Sequence, residues 1–170
     1  MKKRVFLDID GVLTRIYDKD GNKDPHHFMN LKPDLYGPVP ELVEKIRDFT
    51  LRNGAEIIIT SNWRKYGPKD YFTYGGYDFQ SPLPKARKLL GEDIIAGILP
   101  PEHGIKKAEC LMLFEEDYGA MKEGFVIFDD MNEGYGEHPI YHRHFVRTNP
   151  SFGITDKDLE LAQTIIDSKR

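Results

Sequence analysis

Two aspartates close an apolar run near the start of the chain, in VFLDIDGVLT. Asp8 and Asp10 are two residues apart, so on an extended backbone their side chains address one space. A buried strand as apolar as Val5 to Leu7 should avoid carboxylates unless they do chemistry at its end. Asp129 and Asp130 close another apolar run, GFVIFDD, and a third run, AEIIIT, leads into Thr60, Ser61 and Asn62. Gathering four carboxylates in one place creates like-charge repulsion, which a hard divalent cation relieves. Mg2+ favours carboxylate, water and phosphate oxygens. Gly11 lets the backbone turn tightly and approach a ligand.

The elements that must position these residues are readable from pattern. RVFLD, AEIIIT, DIIAGIL, GFVIFDD and HFVRT read as strands of the kind buried on both faces of a parallel sheet. PVPELVEKIRDFTLRNG places Leu42, Val43, Ile46 and Phe49 at helical spacing, with Pro40 and Glu41 suited to the first turn and Gly54 to the stop. GIKKAECLMLFEEDYG reads as a helix closed by Gly119, and SPLPKARKLLG as a shorter one. The C-terminal TDKDLELAQTIIDSK has Thr155 as N-cap with Asp158 three residues on. Strands alternating with helices predict an α/β fold, a Rossmann-like three-layer α/β/α sandwich with a mostly parallel sheet. Ligands of such sheets bind beyond the carboxyl ends of the strands, where the three polar clusters fall. No repeat or linker divides the chain, so residues 1–170 are expected to form one domain. Residues 14–37, rich in Pro and Gly, read as a flap, and residues 63–80 as a long irregular loop crowded with aromatics.

Composition narrows the partners. The chain has 170 residues, 39% hydrophobic and 31% charged, with a net charge of -4. That is enough for a real core, and the surface as a whole is no magnet for nucleic acid or acidic membrane. The single cysteine, Cys110, excludes an internal disulfide, reads as a buried inert thiol and fits a reducing compartment. In MKKRVFL the aspartates interrupt the apolar segment too early for a secretory signal, and no later segment spans a membrane. These features predict a cytoplasmic protein with no membrane partner; oligomeric state is not legible. PHHF and YHRHF lack metal-type spacing and read as surface or loop histidines, and DKDGN reads as a turn rather than a calcium loop.

DIDGVLT resembles the first motif of the haloacid dehalogenase-like (HAD) phosphohydrolases. IIITSN is similar to their second motif and VIFDD to their acidic fourth, and Lys106 and Lys107 are candidates for the third-motif lysine, Lys107 slightly preferred. SNWRK and HFVRTNPSFGITDKDLELA look like the phosphatase-type domain associated with Swiss-Army-knife RNA repair proteins. The resemblance implies that Asp8 is the nucleophile, becoming an aspartyl-phosphate, and that Asp10 protonates the leaving oxygen and then activates water. It implies that Thr60 or Ser61 bonds a phosphate oxygen, and that Lys106 or Lys107 neutralises phosphate. It further implies that Asp8, Asp10 (through its backbone carbonyl), Asp129 and Asp130 surround Mg2+.

Beside these roles, Asn62 is read as fixing the loop and Arg64 as a clamp on a second phosphate, which its fork suits. Trp63 reads as packing. The aromatic and basic residues from Lys65 to Phe79 fit either a loop packed over the sheet edge, the favoured reading, or a groove for single-stranded nucleic acid. Residues 14–37 are too few for a full cap, so a capless or minimally capped enzyme is expected. The leading function is a Mg2+-dependent phosphohydrolase acting on phosphorylated nucleotides or nucleic-acid ends. The alternatives are a small-molecule phosphatase or nucleotidase and a non-catalytic phosphate-binding module.

Overall fold

The computed structural model describes residues 2–102, 104–118 and 124–168. In chain order the elements are β1 (Lys3–Leu7), α1 (Pro40–Arg52), β2 (Ala55–Ile59), β3 (Tyr71–Tyr74), β4 (Tyr77–Gln80), α2 (Leu83–Leu90), β5 (Ile95–Ile98), α3 (Lys107–Tyr118), β6 (Phe125–Asp129), β7 (Phe145–Arg147) and α4 (Asp156–Asp167). All five expected strands pair in one sheet, in the order β5-β2-β1-β6-β7, and every neighbouring pair is parallel. Thr155 caps α4 through a reciprocal pair of bonds with Asp158, as expected. Gly119, the expected stop of α3, lies outside the described residues.

The two faces of the sheet are set by strand alternation. Val5 and Leu7 of β1, Ile57 and Ile59 of β2, and Val126 and Phe128 of β6 pack with α1, α2 and α4 through Leu42, Ile46, Phe49, Ala86, Leu90, Ala162 and Ile166. The intervening Phe6, Ile58, Phe125 and Ile127 pack on the opposite face with Ala108, Cys110 and Leu111 of α3. The result is an α/β/α sandwich whose central strands are buried on both sides, which explains their unbroken apolar runs. His144 departs from the surface reading of the histidines. It is buried, its ring stacks on Phe125 at 3.8 Å, and its Nδ1 lies 2.8 Å from the Phe125 carbonyl oxygen.

Residues 63–80 are not an irregular loop. A short 3-10 turn, Asn62–Lys65, precedes an antiparallel hairpin of β3 and β4, registered Phe72 to Phe79. Gly75 and Gly76 form its tip with φ of 57° and 82°, the positive angles that a two-residue turn between twisted strands requires. Phe72 and Phe79 stack at 5.3 Å on the protein side, while Tyr71, Tyr74 and Tyr77 stay exposed. Residues 14–37, the segment read as a flap, run as turns around a short 3-10 helix, Phe28–Asn30, and are pinched by a Tyr17–Lys23 bridge. The segment's anchor is a buried ion pair. Arg15 Nε donates to Asp24 Oδ2 at 2.7 Å, and the other Asp24 oxygen accepts from the backbone N–H of His26 at 2.9 Å.

Burial opposes ionisation of Asp24, yet the bonds from Arg15 and His26 outweigh it and hold the carboxyl below its usual range. A depressed carboxyl stabilises the fold above the unfolded value of about 3.9 and loses that contribution as pH falls through the lower folded value. We expect Asp24→Asn to cost about 2 kcal/mol near neutral pH, because it leaves the buried Arg15 guanidinium with only the half-exposed Glu41, at 3.3 Å, as an acid partner among the described residues. Denaturant titration should show this gap narrowing below about pH 4; a gap constant with pH would contradict it.

Candidate active site

The site follows from strand parity. Phe6 faces α3, and two residues on so does Asp8; Ile127 faces α3, and so does Asp129; Ile58 does, and Thr60 continues its row. The register aligns these three. Leu7 pairs with Ile59 on one side and with Phe128 on the other. The ladder runs on past the strand ends, Thr60 N–H donating to the Leu7 carbonyl at 2.8 Å and Asp8 N–H to the Phe128 carbonyl at 3.0 Å. Thr60, Asp8 and Asp129 therefore stand side by side on three adjacent strands, at their carboxyl ends.

Lys107 meets this row as the first residue of α3. Its Nζ donates to Asp129 Oδ2 at 2.7 Å and lies 3.2 Å from Asp8 Oδ1, with only 3% of the lysine side chain exposed. The start of α3 is fixed from the loop after β6, since Ala108 N–H donates to the Glu133 carbonyl at 3.1 Å. Lys106 is exposed, and its side chain lies along Gly134 rather than among the carboxylates. Asp129 Oδ1 accepts the Met131 N–H at 3.0 Å, which orients the carboxylate. Asp130 approaches Asp8 because Gly11 has no side chain: a Cβ there would fall 2.4 Å from Asp130 Oδ2, and the Gly11 φ of 73° disfavours any other residue. Gly11 is held by Thr14 Oγ1, which accepts its N–H at 2.8 Å, and by Thr148, whose hydroxyl donates to its carbonyl at 2.7 Å.

Among the described residues, carboxylate oxygens of Asp8, Asp129 and Asp130 lie within 4.8 Å of one another. Fully ionised, these three acids against the one charge of Lys107 leave a local excess of two negative charges. Hard oxygen donors with that charge suit Mg2+. Asp10 is not in this group. The strand ends at Leu7, and a turn begins at Ile9, whose carbonyl accepts from Val12 and Leu13 N–H, so the two-residue alternation no longer applies to Asp10. Its Oδ2 instead accepts the Trp63 Nε1–H at 3.0 Å.

Crowding sets the protonation behaviour. Burial pushes Asp8 up to about 6, Lys107 pulls it down, and Asp10 and Asp130 add to the rise. Asp129 rises to about 7, again chiefly through burial, reinforced by Asp8 and opposed by Lys107. Burial also lifts Asp10 to about 6 against the Trp63 bond, although the residue keeps accessible surface toward the cleft. Asp130 is raised by burial and Asp129. Burial alone would lower Lys107, but Asp8 and Asp129 reverse this and raise it.

The second-strand residues divide by use. Thr60 Oγ1 is fully buried with no hydrogen-bond partner among the described residues, whereas Ser61 Oγ caps the 3-10 turn by accepting Trp63 N–H at 3.2 Å. Arg64, read as a clamp on a second phosphate, turns one end of its guanidinium to its own loop. Its Nη1 donates to the carbonyls of Thr60 and Ser61 at 2.9 and 3.1 Å and to Asn62 Oδ1 at 3.2 Å, binding the loop to itself. Its Nη2 lies 3.8 Å from the Sγ of Cys110, which is buried as expected. Sequence reasoning missed the Trp63–Asp10 bond and Tyr135. The Tyr135 hydroxyl is buried and unpaired, and burial together with Asp129 and Asp8 pushes its pKa far up. The signal for Trp63 was its position directly after the second polar cluster; Tyr135, in a glycine-flanked loop, gave none.

A cleft of about 290 Å³ opens beside the carboxylates, with Asp10, Gly11, Thr14 and Asp130 at one end and aromatic side chains at the other. Among the described residues, no helix is long and apolar enough to cross a membrane.

Replacing Gly11 by Ala should displace the Asp130 carboxylate and weaken Mg2+ binding about tenfold or more, as loss of supporting contacts around metal ligands does. Calorimetric titration would measure this, and affinity equal to wild type would contradict the role given to Gly11.

A search of curated proteins returned no match, and neither did a search of solved structures. The model of one family, described as the HAD domain in Swiss Army Knife RNA repair proteins, matches residues 4–159. That span takes in β1 through the first turns of α4, and so all the carboxylates, Thr60 and Lys107. The chain belongs to this HAD family.

Proposed function

We propose that the protein is a Mg2+-dependent phosphohydrolase that works through an aspartyl-phosphate on Asp8. The observation that carries this reading is the row of Thr60, Asp8 and Asp129 closed by buried Lys107, with Asp130 brought in over Gly11. Asp8, Asp129 and Asp130 would hold the metal. What bound Mg2+ supplies is neutralisation of the charge shared by phosphate and carboxylates.

The chain's own residues do the rest. An Asp8 oxygen attacks phosphorus, and the bond to the leaving oxygen breaks as Asp10 gives up its proton to that oxygen. Asp10, now ionised, takes a proton from water as that water attacks the aspartyl-phosphate, releasing phosphate and restoring Asp8. Trp63 aims Asp10, Lys107 fixes and balances Asp8, and the spare Thr60 hydroxyl bonds a phosphate oxygen. Thr60 takes this part rather than Ser61 because its register sets it beside Asp8 with a hydroxyl that no other described residue engages, whereas Ser61 Oγ accepts the Trp63 N–H as the cap of the next turn. Residues 1–170 act as one domain with 14–37 as its flap, in the cytoplasm, on phosphorylated nucleotides or nucleic-acid ends. A second reading, a phosphatase of small molecules such as mononucleotides, is favoured by the modest size of the cleft.

The test is hydrolysis of a generic aryl phosphate with and without Mg2+. Asp8→Asn should lose more than about a thousandfold of the turnover, as removal of a nucleophile does, while keeping the fold. Wild-type turnover in that variant would reject the nucleophile. Comparing phosphorylated oligonucleotides with mononucleotides separates the two substrate classes.

A further inference from the structure

We infer that the flap and the β3–β4 hairpin together form a two-part cap that binds a planar aromatic ring on the leaving group of the phosphomonoester. The inference rests on the phosphohydrolase reading for the position of the phosphate, and it names the chemistry of what the phosphate is attached to.

Two segments far apart in sequence build one roof. Phe28 of the flap packs edge-on against Phe72 of the hairpin at 5.4 Å and against Tyr74 at 4.9 Å, and Tyr36 packs against Phe72 at 5.5 Å. The tip of the hairpin is tucked under the flap at Gly75, where a Cβ would fall 2.6 Å from Leu31 Cδ2. These contacts join the hairpin to the flap beside the carboxyl ends of the strands, a pairing of the two segments that the sequence did not predict. Trp63 joins from below, 6.1 Å from Phe72 and bonded through its ring nitrogen to Asp10.

The cleft beneath this roof is polar at one end and aromatic at the other. Its floor is Asp10 and Asp130; its far wall is Phe28, Tyr36, Trp63 and Phe72, with His27 at the side. Phe28, Trp63 and Phe72 are only partly buried, so ring surface remains open to a ligand. Aromatic walls favour a flat ring by stacking, whatever hydrogen bonds that ring offers. The volume of about 290 Å³ is at the small end of ligand sites, sized for one ring system rather than a folded partner. Among the described residues no lysine or arginine lines it, so nothing in that lining rewards a second phosphate on the leaving group. A nucleoside and the terminal nucleoside of a strand share the required chemistry.

Trp63 is the only tryptophan, which makes the site report on itself. In Asp8→Asn protein with Mg2+ present, phenyl phosphate and a nucleoside monophosphate should change tryptophan emission saturably, at concentrations where glycerol phosphate and inorganic phosphate do not. Equal responses to all four, or none, would overturn the ring pocket. In the active protein, Phe28→Ala should lower the ratio of kcat/KM for phenyl phosphate over glycerol phosphate about tenfold, the scale of one lost stacking contact, and Phe28→Tyr should retain it. An unchanged ratio in Phe28→Ala also overturns the inference. The titration needs no turnover: a ring-selective response without hydrolysis rejects the phosphohydrolase and keeps the pocket, whereas Asp8-dependent hydrolysis without ring preference rejects the pocket alone. A phosphorylated oligonucleotide assayed beside the mononucleotide tells a strand end from a free nucleotide, and a selective response to either supports the ring pocket.

Discussion

Buried like charges set the terms for this molecule. Three carboxylates gathered within 4.8 Å are costly in a protein interior, and one lysine cannot balance them. Lys107 offsets the inner pair, Asp8 and Asp129, from the first turn of α3. Under the proposed chemistry, a divalent cation offsets the remaining charge and, with it, a phosphate can approach. Much of the surrounding structure serves to hold this unfavourable cluster in place. The parallel register of three strands fixes Thr60, Asp8 and Asp129 in a row, the Glu133 carbonyl fixes the start of α3, and Gly11 clears the space that Asp130 occupies.

The loop after β2 shows a division between holding and acting. Arg64 Nη1 and Ser61 Oγ bond within the loop itself, while the Thr60 hydroxyl, beside Asp8, bonds to no described residue. Trp63, placed by that rigid loop, reaches across to Asp10. A donor on one oxygen of Asp10 leaves the other free, which suits a group that passes a proton back and forth under the proposed chemistry.

Much of the sheet was legible because it depends on local pattern. Runs of β-branched and aromatic residues marked all five parallel strands, and Thr155 with Asp158 marked the start of α4. The first-motif and fourth-motif aspartates were legible for a related reason, since polar residues at the end of a buried strand are conspicuous. Asp10 shares the space of Asp8 as the spacing suggested, but it does so from a turn that begins at Ile9 rather than through strand alternation. The hairpin was overlooked although Gly75-Gly76 between aromatic runs is a turn signal; the crowding of tyrosines hid the pairing of Phe72 with Phe79. The loop contacts of Arg64 and the Trp63–Asp10 bond were not legible because a side chain's partner is a tertiary fact. An arginine beside a phosphate loop reads the same whether it faces the ligand or its own backbone. His144 was misread similarly, since nothing in YHRHF tells a ring stacked in the core from one in solvent.

The most direct test of the account is a crystal structure with Mg2+ and a beryllofluoride mimic of the phosphoryl group. The account predicts one ion contacted by oxygens from Asp8, Asp129 and Asp130, the mimic attached to the other Asp8 oxygen, and the Thr60 hydroxyl within hydrogen-bonding distance of it. An ion bound away from these carboxylates, or a mimic seated on any residue other than Asp8, would contradict it.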